Sequence, residues 1–139
     1  DVDTDAALLC TPHQGELRGM GGETADEWRT RAELVSEFAA DLGHLLLVKG
    51  PYDIVTDGVE TRINRTGNAA MTVGGTGDVL AGATGALACV LAPRHAASVA
   101  AYATGRAGDA AAEERDRGLV ATDLLGRLPA ALQDQEVDG

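Results

Sequence analysis

The 139-residue sequence predicts an α/β fold, with a mainly parallel sheet, flanking helices and an antiparallel hairpin at one edge. Three stretches carry that prediction. Leu45–Lys49 is an apolar strand without polar alternation that closes on Lys49-Gly50, the pattern of burial on both faces beneath helices. Trp28, Ala32, Val35, Phe38, Ala39 and Leu42 recur at steps of three and four, which makes one helical stripe directed at a core. Asp57-Gly58 separates two short strand-like runs, Asp53–Thr56 and Val59–Asn64, and signals a two-residue hairpin.

In chain order, Asp1–Asp5 is acidic and Ala6–Cys10 reads as a buried strand that stops at Thr11-Pro12, since proline biases the residue before it to an extended backbone. A short helix is expected over Glu16–Met20, broken by Gly21-Gly22. Thr24–Leu42 is the clearest helix. Thr24 and Glu27 have capping-box spacing and Gly43 stands at the stop. Trp28 and Phe38 are expected in the core. Beyond the hairpin, Gly67–Gly82 joins strand-like residues to a helix opening at Asp78 and running to Leu91. After Ala92-Pro93 a second small-residue helix spans Arg94–Arg115, and a last one is expected from a Thr122 cap through Leu132, interrupted at Pro129. Gln133–Gly139 is a polar tail. No repeat or linker divides the chain.

Eleven basic against 22 acidic residues give a net charge of −11, which argues against nucleic acid or an anionic membrane as partner. The only lysine is Lys49, a Lys-poor and acidic balance that suits high salt as well as an ordinary cytosolic protein. Cys10 and Cys89 lie among apolar neighbours and are expected as two buried thiols. No run approaches the ~20 apolar residues of a membrane-crossing helix, and no signal peptide is visible, so a cytoplasmic location is expected. The chain opens at Asp1 without Met and reads as the later part of something longer.

Gly74, Gly75 and Gly77 let the backbone turn tightly before a helix, where unpaired amides and the positive end of the helix dipole favour an anion. Asp78 stands at the mouth of that site and would repel the anion. Two readings follow from these residues: a helix-capping acid, or a base held beside a bound anion. The stretch is neither a P-loop nor a dinucleotide fingerprint. Lys49-Gly50 closes a buried strand, where open α/β sheets bind ligands. His13 follows Pro12 at another strand end, and reads as a ligand contact or as a structural histidine. His44 and His95 sit at helix ends. Three strand ends, at His13, at Lys49-Gly50 and at Gly74, are thus expected to point at one face.

Taken together, Thr11-Pro12-His13-x-Gly15-Glu16, Leu47-Val48-Lys49-Gly50 with Val55-Thr56-Asp57-Gly58, Asn64-Arg65-Thr66-Gly67-Asn68-x-x-Met71 and Gly74-Gly75-Thr76-Gly77-Asp78-Val79-Leu80-Ala81-Gly82 resemble the ADP/ATP-dependent NAD(P)H-hydrate dehydratases of the ribokinase-like superfamily. The match runs from about Asp1 to about Leu91. The Gly-Thr-Gly-Asp element alone is shared with superfamily kinases for sugars and vitamin precursors.

That resemblance implies repair of NADH and NADPH hydrated on the nicotinamide ring (NADHX and NADPHX), by phosphorylation of the ring hydroxyl and loss of phosphate. It implies Asp78 as the base, amides at Gly75–Gly77 together with Gly74 and Thr76 as the phosphoryl cradle, and Lys49, Gly50, Pro51, Tyr52, Asp53 and Gly77 as nucleotide contacts. His13, with Asp78, matches a contact to the hydrated dinucleotide. ADP or ATP with Mg²⁺ is the implied donor, without a dedicated metal-ligand cluster, and the complete protein is expected as a homo-oligomer, often a tetramer. Asp53 stands where many members carry a small hydroxyl residue. The first half of the family's domain, and the epimerase domain some members carry before it, do not occur in the sequence, which is read as the C-terminal part of the domain. The alternatives are a ribokinase-like small-molecule kinase, which His13-x-Gly15-Glu16 disfavours, and a nucleotide-binding module without catalysis.

Overall fold

The computed structural model describes residues 5–6 and 8–133 and has an α/β architecture. The expected acidic start, part of the first strand and most of the polar tail (1–4, 7 and 134–139) lie outside the described residues. The chain divides between Ile63 and Asn64 into two compact units.

The first unit is built on a sheet of order β1 (Leu9–Cys10), β2 (Leu45–Val48), β3 (Asp53–Thr56) and β4 (Thr61–Asn64), the last strand running across the boundary. β1 pairs with β2 in parallel and β2 with β3 antiparallel, so the sheet is mixed and its antiparallel part lies toward the β4 edge. All four β2 residues are buried, as continuous apolarity requires. Helix α1 (Gln14–Gly19) starts two residues before the expected position because His13 caps it. Helix α2 (Trp28–Leu42) ends at Gly43, whose φ of 68° closes the helix in a conformation that glycine adopts without strain. Leu17, Val35, Ala39, Leu46, Val48 and Ile54 form the core, with Phe38 and Leu42 packed against it.

Three local expectations need correction here. Helix α2 begins at Trp28, not Thr24, with Glu27 as its cap. Glu27 accepts from the Thr30 amide at 2.8 Å and so holds the first turn, while Thr24 lies before the helix with its hydroxyl donating to Gln14 Oε1 at 2.8 Å. The hairpin turn is longer than two residues: β3 ends at Thr56 and β4 begins at Thr61, because Asp57 Oδ1 gathers the amides of both Val59 and Glu60. Trp28 is half-buried rather than a core residue, edge-on to Tyr52 at 5.7 Å and covered by the Arg29 guanidinium at 4.4 Å.

In the second unit, helix α3 (Thr76–Ala88) packs on the long helix α4 (Pro93–Arg115), and α5 (Thr122–Leu125) and α6 (Leu128–Gln133) pack on α4 as well. The core is Ala103, Ala107, Ala111, Leu119, Leu124 and Ala131. Alanines and glycines on α4 let neighbours approach closely. The single terminal helix expected from Thr122 is two helices. Ala121, not Thr122, precedes the first, the break falls at Gly126-Arg127, and Pro129 sits in the first turn of α6, where its missing N–H costs nothing. Cys89 is also not buried. It lies exposed just after α3 with its thiol donating to the Gly85 carbonyl, and Cys10 is half-buried.

Candidate active site

In the first unit, the end of β1 and the end of β2 are held side by side. The Lys49 amide donates to the Pro12 carbonyl at 2.9 Å, and His13 and Lys49 form a parallel bridge that extends the β1–β2 pairing. The sequence supplies His13 with its partner three residues on. Glu16 Oε2 accepts from the His13 amide at 2.7 Å, and His13 Nδ1 accepts from the Glu16 amide at 3.1 Å. This is a capping box with histidine in the usual serine position. Lys49 Nζ lies 3.7 Å from Glu16 Oε2. The hydrogen bond from the His13 amide, reinforced by the Lys49 charge, holds the Glu16 carboxyl below the usual carboxylate range. The Thr30 amide does the same for Glu27.

The Lys49–Asp53 turn closes on itself, with the Gly50 amide donating to Asp53 Oδ1 at 3.2 Å. A side chain at Gly50 would press on Gln14 Nε2 and the Tyr52 carbonyl, at 3.3 and 3.4 Å. Beneath the turn lies Arg31, only 3% exposed. Its guanidinium donates to the Ala25 carbonyl at 3.3 Å and to the Tyr52 carbonyl at 3.5 Å, and its Nε is buried without a partner. A buried guanidinium is costly unless it is hydrogen-bonded, so a backbone carbonyl of this turn is part of what Arg31 requires. Sequence reading passed over Arg31, although it sits one turn before Val35 on the apolar face of α2, where a charge is out of place.

In the second unit, the approach to the glycine loop is not a strand. A 3-10 turn, Ala69–Met71, leads into it, capped by Asn68. Gly75 stands at the head of α3 with φ 96°, and a Cβ there would also lie 3.0 Å from the Ala121 Cβ. The helix thus starts at Thr76, two residues before the expected Asp78. Asp78 and Val79 donate their amides to the Gly75 carbonyl at 3.1 Å, which leaves the Thr76 and Gly77 amides as the first-turn donors without an intrahelical acceptor. The Thr76 hydroxyl donates to the Met71 and Val73 carbonyls at 3.0 and 3.1 Å, so Thr76 offers a ligand its amide rather than its side chain. Gly74 is open, with nothing within 4 Å of a Cβ position, and Asp78 is exposed in the same first turn. The arrangement places hydrogen-bond donors and a carboxylate on one helical turn.

The structure therefore brings His13, Lys49, Gly50, Pro51, Tyr52 and Asp53 together in the first unit, and Gly74, Gly75, Thr76, Gly77 and Asp78 in the second. Among the described residues no three His, Cys, Asp or Glu side chains converge to hold a metal ion, and no helix is long and apolar enough to cross a membrane.

A mixed sheet with flanking helices, and a glycine-headed helix bearing an exposed acid, define a ribokinase-like α/β fold. The family model described as NAD(P)H-hydrate dehydratase matches residues 2–130. The chain belongs to the NAD(P)H-hydrate dehydratase family. The bifunctional NAD(P)H-hydrate repair enzyme Nnr of Pyrobaculum aerophilum is 44% identical over 134 residues, 95% of this chain and 27% of that protein. The ADP-dependent (S)-NAD(P)H-hydrate dehydratase of Cenarchaeum symbiosum is 43% identical over 127 residues, 90% of this chain and 44% of that protein. Among solved structures, the ADP/ATP-dependent NAD(P)H-hydrate dehydratase of Bacillus subtilis, co-crystallised with ATP/Mg²⁺, superposes with a TM-score of 0.82 at 31% identity, over 92% of this chain and 48% of that one. The chain thus spans between about a quarter and a half of the relatives it matches.

Proposed function

We propose that the full-length protein dehydrates NADHX and NADPHX to NADH and NADPH at the expense of ADP or ATP. The observation that carries the reading is the first turn of α3, where the exposed Asp78 carboxylate accompanies the unpaired amides of Thr76 and Gly77. Asp78 takes the proton of the ring hydroxyl as its oxygen attacks the terminal phosphorus of the nucleotide. The Gly74–Gly77 amides and the α3 dipole hold the phosphoryl group in flight, where preorganised donors are worth most. The phosphorylated ring carbon then loses phosphate, a proton leaves the neighbouring ring carbon, and the double bond returns. The net reaction is that of a carbon–oxygen lyase coupled to nucleotide hydrolysis.

Lys49, Gly50, Pro51, Tyr52, Asp53 and Gly77 line the nucleotide in this reading, and His13 contacts the hydrated dinucleotide. The His13 side chain is exposed, and its Nδ1 is committed to the Glu16 amide, so Nε2 is the atom it presents to a substrate. Mg²⁺ fits as an ion carried on the nucleotide phosphates, because this ion needs few protein ligands when phosphates supply its oxygens. When bound, it neutralises phosphate charge. We place the protein in the cytoplasm, as an acidic metabolite-repair enzyme that assembles as a homo-oligomer, a tetramer by family likeness.

The test mixes NADPHX, ADP or ATP, Mg²⁺ and the full-length protein and follows the return of reduced-nicotinamide absorbance. Recovery of absorbance with release of one phosphate per turnover supports the proposal. Stable phosphorylation of a sugar or vitamin-precursor alcohol, with no recovery, would replace it with the kinase reading. Nucleotide binding without either would leave a binding module.

A further inference from the structure

The conspicuous motif Asn64-Arg65-Thr66-Gly67-Asn68-x-x-Met71 has no part in the chemistry above, and its placement gives it one. The segment lies along a single face of α4. Asn64 Nδ2 donates to the Ala101 carbonyl at 3.1 Å, and the Thr66 hydroxyl donates to the Tyr102 carbonyl at 3.0 Å. One turn on, Thr66 occupies the space a side chain at Gly105 would need, and the Met71 thioether fills the space above Gly108. Asp109 completes the row. Its Oδ2 accepts from the Gly67 amide at 3.1 Å and its Oδ1 accepts from Asn68 Nδ2 at 2.8 Å. Residues 101, 102, 105, 108 and 109 share one helical face, so α4 acts as a template for the segment.

From Asp109 the contacts lead to the glycine loop. Asn68, held by Asp109, uses its own Oδ1 to accept from the Ala70 amide at 3.0 Å and caps the 3-10 turn. Met71, at the end of that turn, gives its carbonyl to the Thr76 hydroxyl, and Thr76 is the first residue of α3. Asp78 follows on the same turn. We propose that Asp109 is a positioning residue: by clamping Gly67 and Asn68 it sets where α3 begins, and so where Asp78 and the Thr76 and Gly77 amides stand. The inference rests on the assignment of Asp78 above, and it adds a residue that touches neither substrate nor nucleotide.

The test uses the full-length protein with Asp109→Asn and the exchanged pair Asn68→Asp with Asp109→Asn. One amide oxygen cannot replace two carboxylate oxygens, so Asp109→Asn loses one of the two clamps. The exchanged pair restores it with donor and acceptor reversed, and the second oxygen of the carboxylate introduced at position 68 is left to cap Ala70. We expect Asp109→Asn to lower kcat about ten- to a hundredfold, the scale on which small misplacement of a reacting group acts. Because Gly77 is also a nucleotide contact, ADP affinity should fall too but by a smaller factor than kcat, and the exchanged pair should recover most of kcat. A lowered melting temperature with kcat within about twofold of wild type would overturn the proposal, as would an exchanged pair that melts like wild type but stays slow. If Asp109→Asn folds poorly, the exchanged pair still decides the matter. An inactive Asp78→Ala control beside a fully active Asp109→Asn overturns the positioning role alone, and an active Asp78→Ala overturns the assignment of Asp78 with it.

Discussion

Glu16 and His13 cap each other. The carboxylate accepts from the His13 amide at 2.7 Å while His13 Nδ1 accepts from the Glu16 amide at 3.1 Å. Because the first of these bonds favours the ionised acid, the Glu16 carboxyl sits below its ordinary value of 4.5 in the folded chain. A depressed folded value contributes stability above the unfolded value and loses it as pH falls through the folded one. We expect wild type to be more stable than Glu16→Gln near neutral pH, and the difference to close on acidification below about pH 4.5. Thermal melts of both proteins at several pH values measure this. A difference independent of pH would contradict it.

Asp53 closes the Lys49–Asp53 turn through the Gly50 amide at 3.2 Å. A serine oxygen can accept the same hydrogen bond without bringing a negative charge toward nucleotide phosphates. Asp53→Ser is expected to keep the turn and to tighten ADP or ATP binding by about three- to tenfold, roughly 1 kcal/mol. Titration calorimetry at low and high salt measures it, and the gain should shrink as salt screens the charge.

Arg31 supports the same turn from below, through the Tyr52 carbonyl. Arg31→Met keeps the aliphatic stem and removes the donors, leaving the Ala25 and Tyr52 carbonyls without them. A hydrogen bond from a charged group contributes about 1.5–3 kcal/mol. The expected result is a KM for nucleotide raised about tenfold, with the KM for NADPHX within about twofold. Equal loss in both would mean general unfolding, which Val35→Ala, a core truncation one turn along α2, reproduces as a control.

Much of this arrangement was legible in the residues. Leu45–Val48 reads as a doubly covered strand from its unbroken apolarity, and Gly43 reads as a stop from its place after the last stripe residue. The side-by-side placement of His13 and Lys49 followed from two strand ends in one sheet. What the sequence did not show were features settled by competition for a partner. Thr24 has the spacing of a cap, yet Glu27 takes the Thr30 amide, so the helix starts at Trp28 behind Glu27. Asp57 draws two amides rather than one, which lengthens the hairpin turn. Arg31 and Asp109 were passed over because each serves a backbone group far along the chain, 21 residues away at Tyr52 and 42 away at Gly67. Spacing motifs do not report such pairs.

The central claim is that Asp78 deprotonates the ring hydroxyl as that oxygen attacks the terminal phosphorus of the nucleotide. The direct measurement is kcat for NADPHX dehydration by the full-length protein and its Asp78→Asn variant, with ADP affinity measured on both. Removing a general base costs typically about 10²–10⁴-fold in rate, so a fall of that size is expected, with ADP affinity within about threefold. A variant that retains more than about a tenth of the wild-type kcat would contradict it.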